Sequence, residues 1–204
     1  VHGISVGPAK LDWAALIQRK SGIIAHIRAA MKGVAEKRGT VFTGRAAFTG
    51  PNTVQVGGDT LEGAHIVIAT GSKTRPLPIP GAELMITSDD VLSETTLPSE
   101  VVFIGGGVIA MEFSHVYARA GARVTILELA PQLLGRMDAD AVGMLAAETE
   151  RLGVTIRTGV KVNAIERAGD RLQVRFEHDG KAQTGQADRE VNGEGRIADV
   201  EGLN

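Results

Sequence analysis

The stretch Val101-Val102-Phe103-Ile104-Gly105-Gly106-Gly107-Val108-Ile109-Ala110-Met111-Glu112 constrains this chain more than any other. Four apolar residues of strand type run into three glycines, and a helical pattern follows. The order fits Gly-x-Gly-x-x-Ala, with Gly105, Gly107 and Ala110 at the marked places. The first glycine permits a tight strand-to-helix turn. The second lets a pyrophosphate approach the backbone, and the alanine lets helix and strand pack closely. A helix that opens near Gly107 offers unpaired amides and its positive end to phosphates. The next strand, Val124-Thr125-Ile126-Leu127, ends in Glu128, roughly 20 residues further on, where an acid accepts hydrogen bonds from ribose hydroxyls and repels a 2′-phosphate. The pattern points to dinucleotide binding, with NAD favoured over NADP. Arg123 begins that strand and Arg136 lies beyond it, so neither directly follows Glu128 as a phosphate clamp would.

The surroundings of this turn alternate. Strands are expected at Val101–Ile104, Arg123–Glu128 and Val154–Arg157, with helices at Val108–Ala120 and Asp138–Leu152 between them. Strand-helix-strand-helix-strand makes a parallel βαβαβ unit, so the fold class is α/β. Val160–Arg167 and Arg171–Glu177 read as a hairpin-like pair around Gly169-Asp170.

Residues 12–38 read as one amphipathic helix. Asp12 suits its N-cap, and Trp13, Leu16, Ile17, Ile23, Ile24, Ile27, Met31 and Val34 recur at three- and four-residue spacings. Gly39 sits where a left-handed terminal residue is wanted. Short strands follow at Thr40–Thr43, Arg45–Thr49, Thr53–Val56 and His65–Thr70, the last apolar on both faces as in a buried strand. Residues 72–98 form a proline-rich connector, in which Ser88-Asp89-Asp90 suits the cap of a short helical turn.

The chain's 204 residues allow one to two domains, and its 22 basic against 24 acidic residues give no basic excess for nucleic acid or anionic membrane. No apolar run is long enough to span a bilayer. The chain has no cysteine, which excludes disulfides and thiolate sites within it. No His, Asp and Glu cluster has metal-ligand spacing. His26, His115 and His178 read as structural or solvated. The expected location is the cytoplasm. Val1 is not a Met, and the chain reads as an internal piece of a longer protein.

Several separated motifs together resemble the flavin-dependent pyridine nucleotide–disulfide oxidoreductases, such as glutathione reductase, dihydrolipoamide dehydrogenase and mercuric reductase. They are His65-Ile66-Val67-Ile68-Ala69-Thr70-Gly71-Ser72, Pro76, Ile79-Pro80-Gly81, Thr87-Ser88-Asp89-Asp90, the glycine turn with Glu112, Gly195-Arg196 and Glu201-Gly202-Leu203-Asn204. The resemblance implies a Rossmann-like NAD domain over residues 72–195. A portion of a three-layer ββα-type FAD domain would cover 1–71, and the chain would return to it over 196–204.

It also implies roles for particular residues. Gly105, Gly107, Val108, Ile109, Ala110, Glu112, Glu128, Val162 and Gly195 would serve NAD, Glu112 near the flavin and Val162 and Gly195 on the nicotinamide side. Arg45, Ala46, Ala69, Thr70, Gly71 and Arg196 would serve FAD. Val108 stands where the family often carries an aromatic gate. Where the family carries an apolar strand leading into Ala-x-Gly-Arg, Arg189 and Glu190 are expected to break it, and Glu194 would set a negative charge near the cofactor phosphates. No catalytic residue is expected inside the chain: the redox Cys-x4-Cys would lie before Val1, and the dimerisation domain with its His-Glu pair after Asn204. The implied activity of the longer protein is hydride transfer from NADH to FAD, then to a disulfide or another small-molecule acceptor, in a homodimer. Alternatives are an NAD-binding module without chemistry, or a relative of soluble transhydrogenase.

Overall fold

The structure, a computed structural model, describes Gly7 and residues 10–204. In chain order the elements are α1 (Trp13–Arg38), β1 (Ala46–Gly50), β2 (Thr53–Val56), β3 (Asp59–Glu62), β4 (Ser72–Thr74), a 3-10 turn at Ala82–Leu84, and α2 (Ser88–Val91). Then come β5 (Glu100–Ile104), α3 (Val108–Ala120), β6 (Arg123–Leu127), α4 (Ala139–Arg151), β7 (Thr155–Arg157), β8 (Lys161–Ala168), β9 (Arg171–His178), β10 (Lys181–Ala187), β11 (Arg189–Asn192) and β12 (Arg196–Ala198). They fall into two compact units. One holds the described part of Val1–Lys20 with Pro76–Gly195; the other holds Ser21–Arg75 with Arg196–Asn204.

The centre of the first unit is a parallel sheet in the order β11-β5-β6-β7. Its strands are nearly continuous in apolar residues because both faces are covered. One face carries Val101, Phe103, Val124 and Ile126 into a core with Tyr117, Met111 and Ala110 of α3 and Val142 of α4. The other carries Val102, Ile104 and Leu127 against Ile165, Leu172, Val174 and Phe176 of an antiparallel sheet ordered β10-β9-β8. The expected pair of strands is therefore three. Asp179 and Gly180, at φ of 52° and 68°, form the two-residue turn between β9 and β10, the left-handed geometry that such a hairpin requires. At the start of α4, the Asp138 carboxylate accepts from the Asp140 and Ala141 amides at 3.1 and 3.0 Å.

Residues 189–192 correct the expectation of a broken strand. They pair in parallel with β5, Arg189 opposite Val101 and Asn192 opposite Ile104. The Ile86 amide donates to Glu190 O, and the Asn192 amide to Ile86 O, both at 2.9 Å. These bonds hold the strand on both sides, so tertiary pairing overrides the poor strand character of two charged residues. The Arg189 guanidinium reaches out to Glu94, Nε at 2.8 Å and Nη2 at 2.6 Å. Glu190 has no such exit. It shares the face of Val102, is fully buried, and neither carboxylate oxygen has a hydrogen-bond partner among the described residues. Burial pushes its carboxyl up to about 7.

The first turns of α1 belong to this unit. Asp12 Oδ1 accepts from the Ala15 amide at 3.0 Å and caps the helix. Trp13 and Ile17 are buried. The Trp13 ring stacks on Tyr117 at 5.6 Å, and its Nε1 donates to Glu94 O at 2.8 Å. The remaining stripe, Leu16, Ile23, Ile27, Met31 and Val34, is exposed. Gly39 does not take a positive φ; its amide simply extends the helical bonding to Ala35 O at 3.0 Å. The short helix α2 is capped by Thr87, one residue earlier than expected, because Asp90 reaches back to the Thr87 amide at 2.8 Å.

The second unit contains an antiparallel meander, β1-β2-β3, and a two-stranded pair, β12-β4. Its third strand, β3, and the β4–β12 pair were not expected from the sequence. Two expected strands are not formed. Residues 40–43 are irregular. Residues 65–70 are also irregular, and Val67 is 87% exposed. A strand that is apolar on both faces needs neighbours on both edges, and among the described residues none pairs with 65–70.

Candidate functional site

β5 and β11 lie side by side, and the chain leaves β5 toward β6 on the other flank. That reversal is where an open α/β sheet binds ligands, at the carboxyl ends of its strands. Two glycines meet there. Gly105 takes φ of 94°, and a Cβ on it would fall 2.7 Å from the Gly193 carbonyl carbon. A Cβ on Gly193 would fall 2.5 Å from Gly105 O. The Gly193 amide donates to Ile104 O at 2.7 Å and fixes the approach. The turn then enters α3. Gly107 is the N-cap without a side-chain cap, and the first helical bond runs from Met111 N to Gly107 O at 3.0 Å. The amides of Val108, Ile109 and Ala110 precede that bond and have no acceptor within the helix. Ala110 is fully buried and Val108 is half exposed.

Glu128 lies just past β6, half-buried. Its Oε2 accepts from the Gly106 amide at 2.5 Å, and its Oε1 from the Ala130 amide at 2.6 Å. The Leu134 amide donates to Gly106 O at 3.0 Å. Leu133 packs so closely on Gly106 that a Cβ there would overlap its Cδ2. Arg123 is turned away: its Nη2 pairs with Glu100 at 3.0 Å, at the opposite end of the strands. Arg136 is exposed.

Beyond the strand ends lies a small cavity of about 70 Å³, lined among others by Leu129, Lys161, Val162 and Glu194. Val162 thus faces the same space as the ends of β5 and β6, and Glu194 brings its charge there beside Lys161. Gly195 follows at φ of 94°, with open space where a Cβ would sit. Glu112 is exposed on α3, outside this cavity.

In the second unit, Arg45, Ala46 and Thr70 line one open cavity of about 350 Å³ with Gly44, Asp199, Gly202 and Leu203. The Thr70 hydroxyl donates to Asp199 O at 2.6 Å. A Cβ on Gly202 would lie 2.8 Å from Arg45 Nη2. Ala69 and Gly71 flank Thr70 without lining the cavity; Gly71 O accepts from the Asp199 amide at 3.1 Å. Arg196 is elsewhere, its guanidinium bonded to Ser72. Lys73 and Glu201 form an exposed ion pair at 2.5 Å; their hydrogen bond raises the ammonium and lowers the carboxyl from their usual values. Among the described residues no group of His, Asp and Glu could hold a metal ion, and no helix is long and apolar enough to cross a membrane.

The family model of the pyridine nucleotide-disulphide oxidoreductases matches residues 6–204. The chain belongs to that family. Among curated members, the dihydrolipoyl dehydrogenase of Cupriavidus necator is 31% identical over 99% of this chain and 44% of its own length. The glutathione reductase of Burkholderia cepacia is 36% identical over 81% of this chain and 37% of its own length. The solved structure of the HOCl-induced flavoprotein disulfide reductase RclA from Escherichia coli superposes with a TM-score of 0.87 at 29% identity, over 95% of this chain and 45% of that one. The chain therefore spans less than half the length of these relatives.

The residues present fit the family's nucleotides. The Gly105–Gly193 approach leaves no room for side chains over the turn, and the first α3 amides have no side-chain cap. In the second unit the cavity beside Arg45 is backed by Gly202, whose neighbour is the mobile end of the Arg45 side chain and not backbone. Sequence reasoning missed Gly193 and Lys161, and quoted Gly202 only inside a motif, without a role. The signal for Gly193 was present: Gly193-x-Gly195 repeats the spacing of Gly105-x-Gly107 directly after a strand.

Proposed function

We propose that this chain is the NAD-binding portion, with part of the FAD-binding portion, of a flavoprotein oxidoreductase that moves hydride from NADH to FAD and on to a disulfide or another small acceptor. One observation carries the reading. At the topological switch point, a side-chain-free turn, an uncapped helix start and a carboxylate converge. The α3 amides would take the pyrophosphate, with Gly105 and Gly107 giving it backbone access. Glu128 would take the adenosine ribose and oppose a 2′-phosphate, which favours NAD because the nearest strand arginine, Arg157, is turned onto Gln183 and the Phe176 ring, and Arg123 is committed to Glu100. Val162 and Gly195 would border the nicotinamide. Arg45, Ala46 and Thr70 would border the FAD adenosine, with Ala69, Gly71 and Arg196 supporting that side. Bound nicotinamide and flavin supply the hydride chemistry; the protein's part is to orient them and exclude water. The disulfide acceptor and a homodimer formed through a further domain rest on the named relatives.

Calorimetric titration of the full chain tests the nucleotide reading. NAD should bind, NADP should bind at least about tenfold more weakly, and Glu128→Ala should narrow that gap. Equal affinity for NAD and NADP, or no binding of either, contradicts it.

A further inference from the structure

Glu128 is engaged before any ligand arrives. A carboxylate offers about four acceptor positions. One on Oε2 is filled by the Gly106 amide and one on Oε1 by the Ala130 amide. Gly106 is the middle residue of the turn. Its carbonyl is also held, by the Leu134 amide, and Leu133 lies beneath it, 3% exposed. Leu134 takes a φ of 49°, a left-handed conformation that costs a leucine energy. The Met137 amide donates to Leu134 O at 2.7 Å and secures that conformation. The Ala130 carbonyl is tied in turn by the Gly159 amide at 3.0 Å. Both polar groups of Gly106 are therefore clipped to residues 128–134, and the clip is anchored to the sheet.

We infer that Glu128 is a positioning residue as well as a ribose contact: its carboxylate fixes the Gly106 peptide so that the phosphate-binding amides of the turn are held in place in the ligand-free chain. The inference rests on the dinucleotide reading of the site. A residue that only met the ribose would have both oxygens open. Here the charge-assisted bonds to two amides make the turn rigid in advance, and rigidity set before binding lowers the ordering cost that the ligand must meet.

The two roles separate with ADP-ribose and its analogue lacking both hydroxyls on the adenosine ribose, titrated calorimetrically into the full chain. Positioning predicts that Glu128→Ala weakens the dideoxy analogue by about tenfold or more, the effect of losing a hydrogen bond to a charged group. A purely ribose role predicts unchanged affinity for that analogue and a loss for ADP-ribose alone; this result overturns the inference and leaves the dinucleotide reading standing. Failure of the unmodified chain to bind either ligand overturns both. A second readout needs no ligand. The amide protons of Gly106 and Ala130 should resonate downfield in the unmodified chain and move upfield together in Glu128→Ala. Should that variant not fold, Glu128→Gln decides: with one acceptor oxygen left, at least one of the two signals moves and the analogue binds more weakly. Unmoved signals overturn the proposal.

Discussion

At the scale of single residues, two positions in the first unit show opposite constraints. Glu190 is an acid sealed in an apolar layer. Its carboxyl is raised by burial to about 7, so the folded chain holds a proton that the unfolded chain releases at lower pH. Stability should therefore fall as pH rises from the ordinary carboxyl range to about 7, and stay lowered above it. The loss is about 3 kcal/mol. Glu190→Val should remove that slope and raise the unfolding free energy at pH 8 by a similar amount, measured by urea titration at pH 5 and pH 8. An unchanged pH dependence in the variant would show that the acid is not the source. Gly105 is the opposite case, a residue that cannot grow. Gly105→Ala meets both the left-handed φ and the Gly193 carbonyl carbon at 2.7 Å. It should cost at least about 2 kcal/mol and abolish NAD binding. Gly195→Ala shares the φ but has open space around it, and should cost about 1 kcal/mol. Thermal unfolding of the pair distinguishes crowding from backbone strain.

At the scale of elements, the legible parts were those whose own residues decide them. α3, β6 and α4 match their sequence patterns because apolar spacing, the Asp138 cap and the glycine after α3 act within one segment. The nucleotide turn was legible for the same reason. Elements decided by a distant partner were not. β11 forms because β5 and Ile86 flank it, and no local reading of Arg189-Glu190 contains that fact. β4 is a strand because β12 lies beside it. The apolar run at 65–70 fails as a strand for want of such a neighbour. Gly193 carried a spacing signal, but its close approach to Gly105 exists only where β5 and β11 meet. The start of α1 is a mixed case: its periodicity was plain, but only the fold shows that its attachment is concentrated in Trp13 and Ile17. Trp13→Ala removes the Tyr117 stack and the bond to Glu94 O and should cost about 3 kcal/mol, followed as the shift in the calorimetric unfolding transition. A change below about 1 kcal/mol would mean that this end of the helix is only loosely held.

At the scale of the whole molecule, apolar surface is left uncovered in quantity. Ile23, Ile27, Met31 and Val34 on α1 and Ile66, Val67 and Ile68 in the irregular segment are all more than a third exposed. Apolar side chains in such number are unusual on a monomer. Sedimentation velocity over a hundredfold concentration range should show self-association of this chain, and Ile27→Glu with Met31→Glu should reduce it. Concentration-independent sedimentation of the unmodified chain would refute the expectation. The topology also sets a timetable. β5 finds one flank in β6 almost at once, but its other flank waits from Ile104 until Arg189. β4 waits longer still, until Arg196. At ribosomal speeds of about 5–20 residues per second, that is on the order of ten seconds with two open strand edges. Residues 189–198 therefore supply the missing strand of each unit within one short stretch of synthesis. A nascent chain halted after Ala187 is left with both edges open, each a ready template for pairing with another chain.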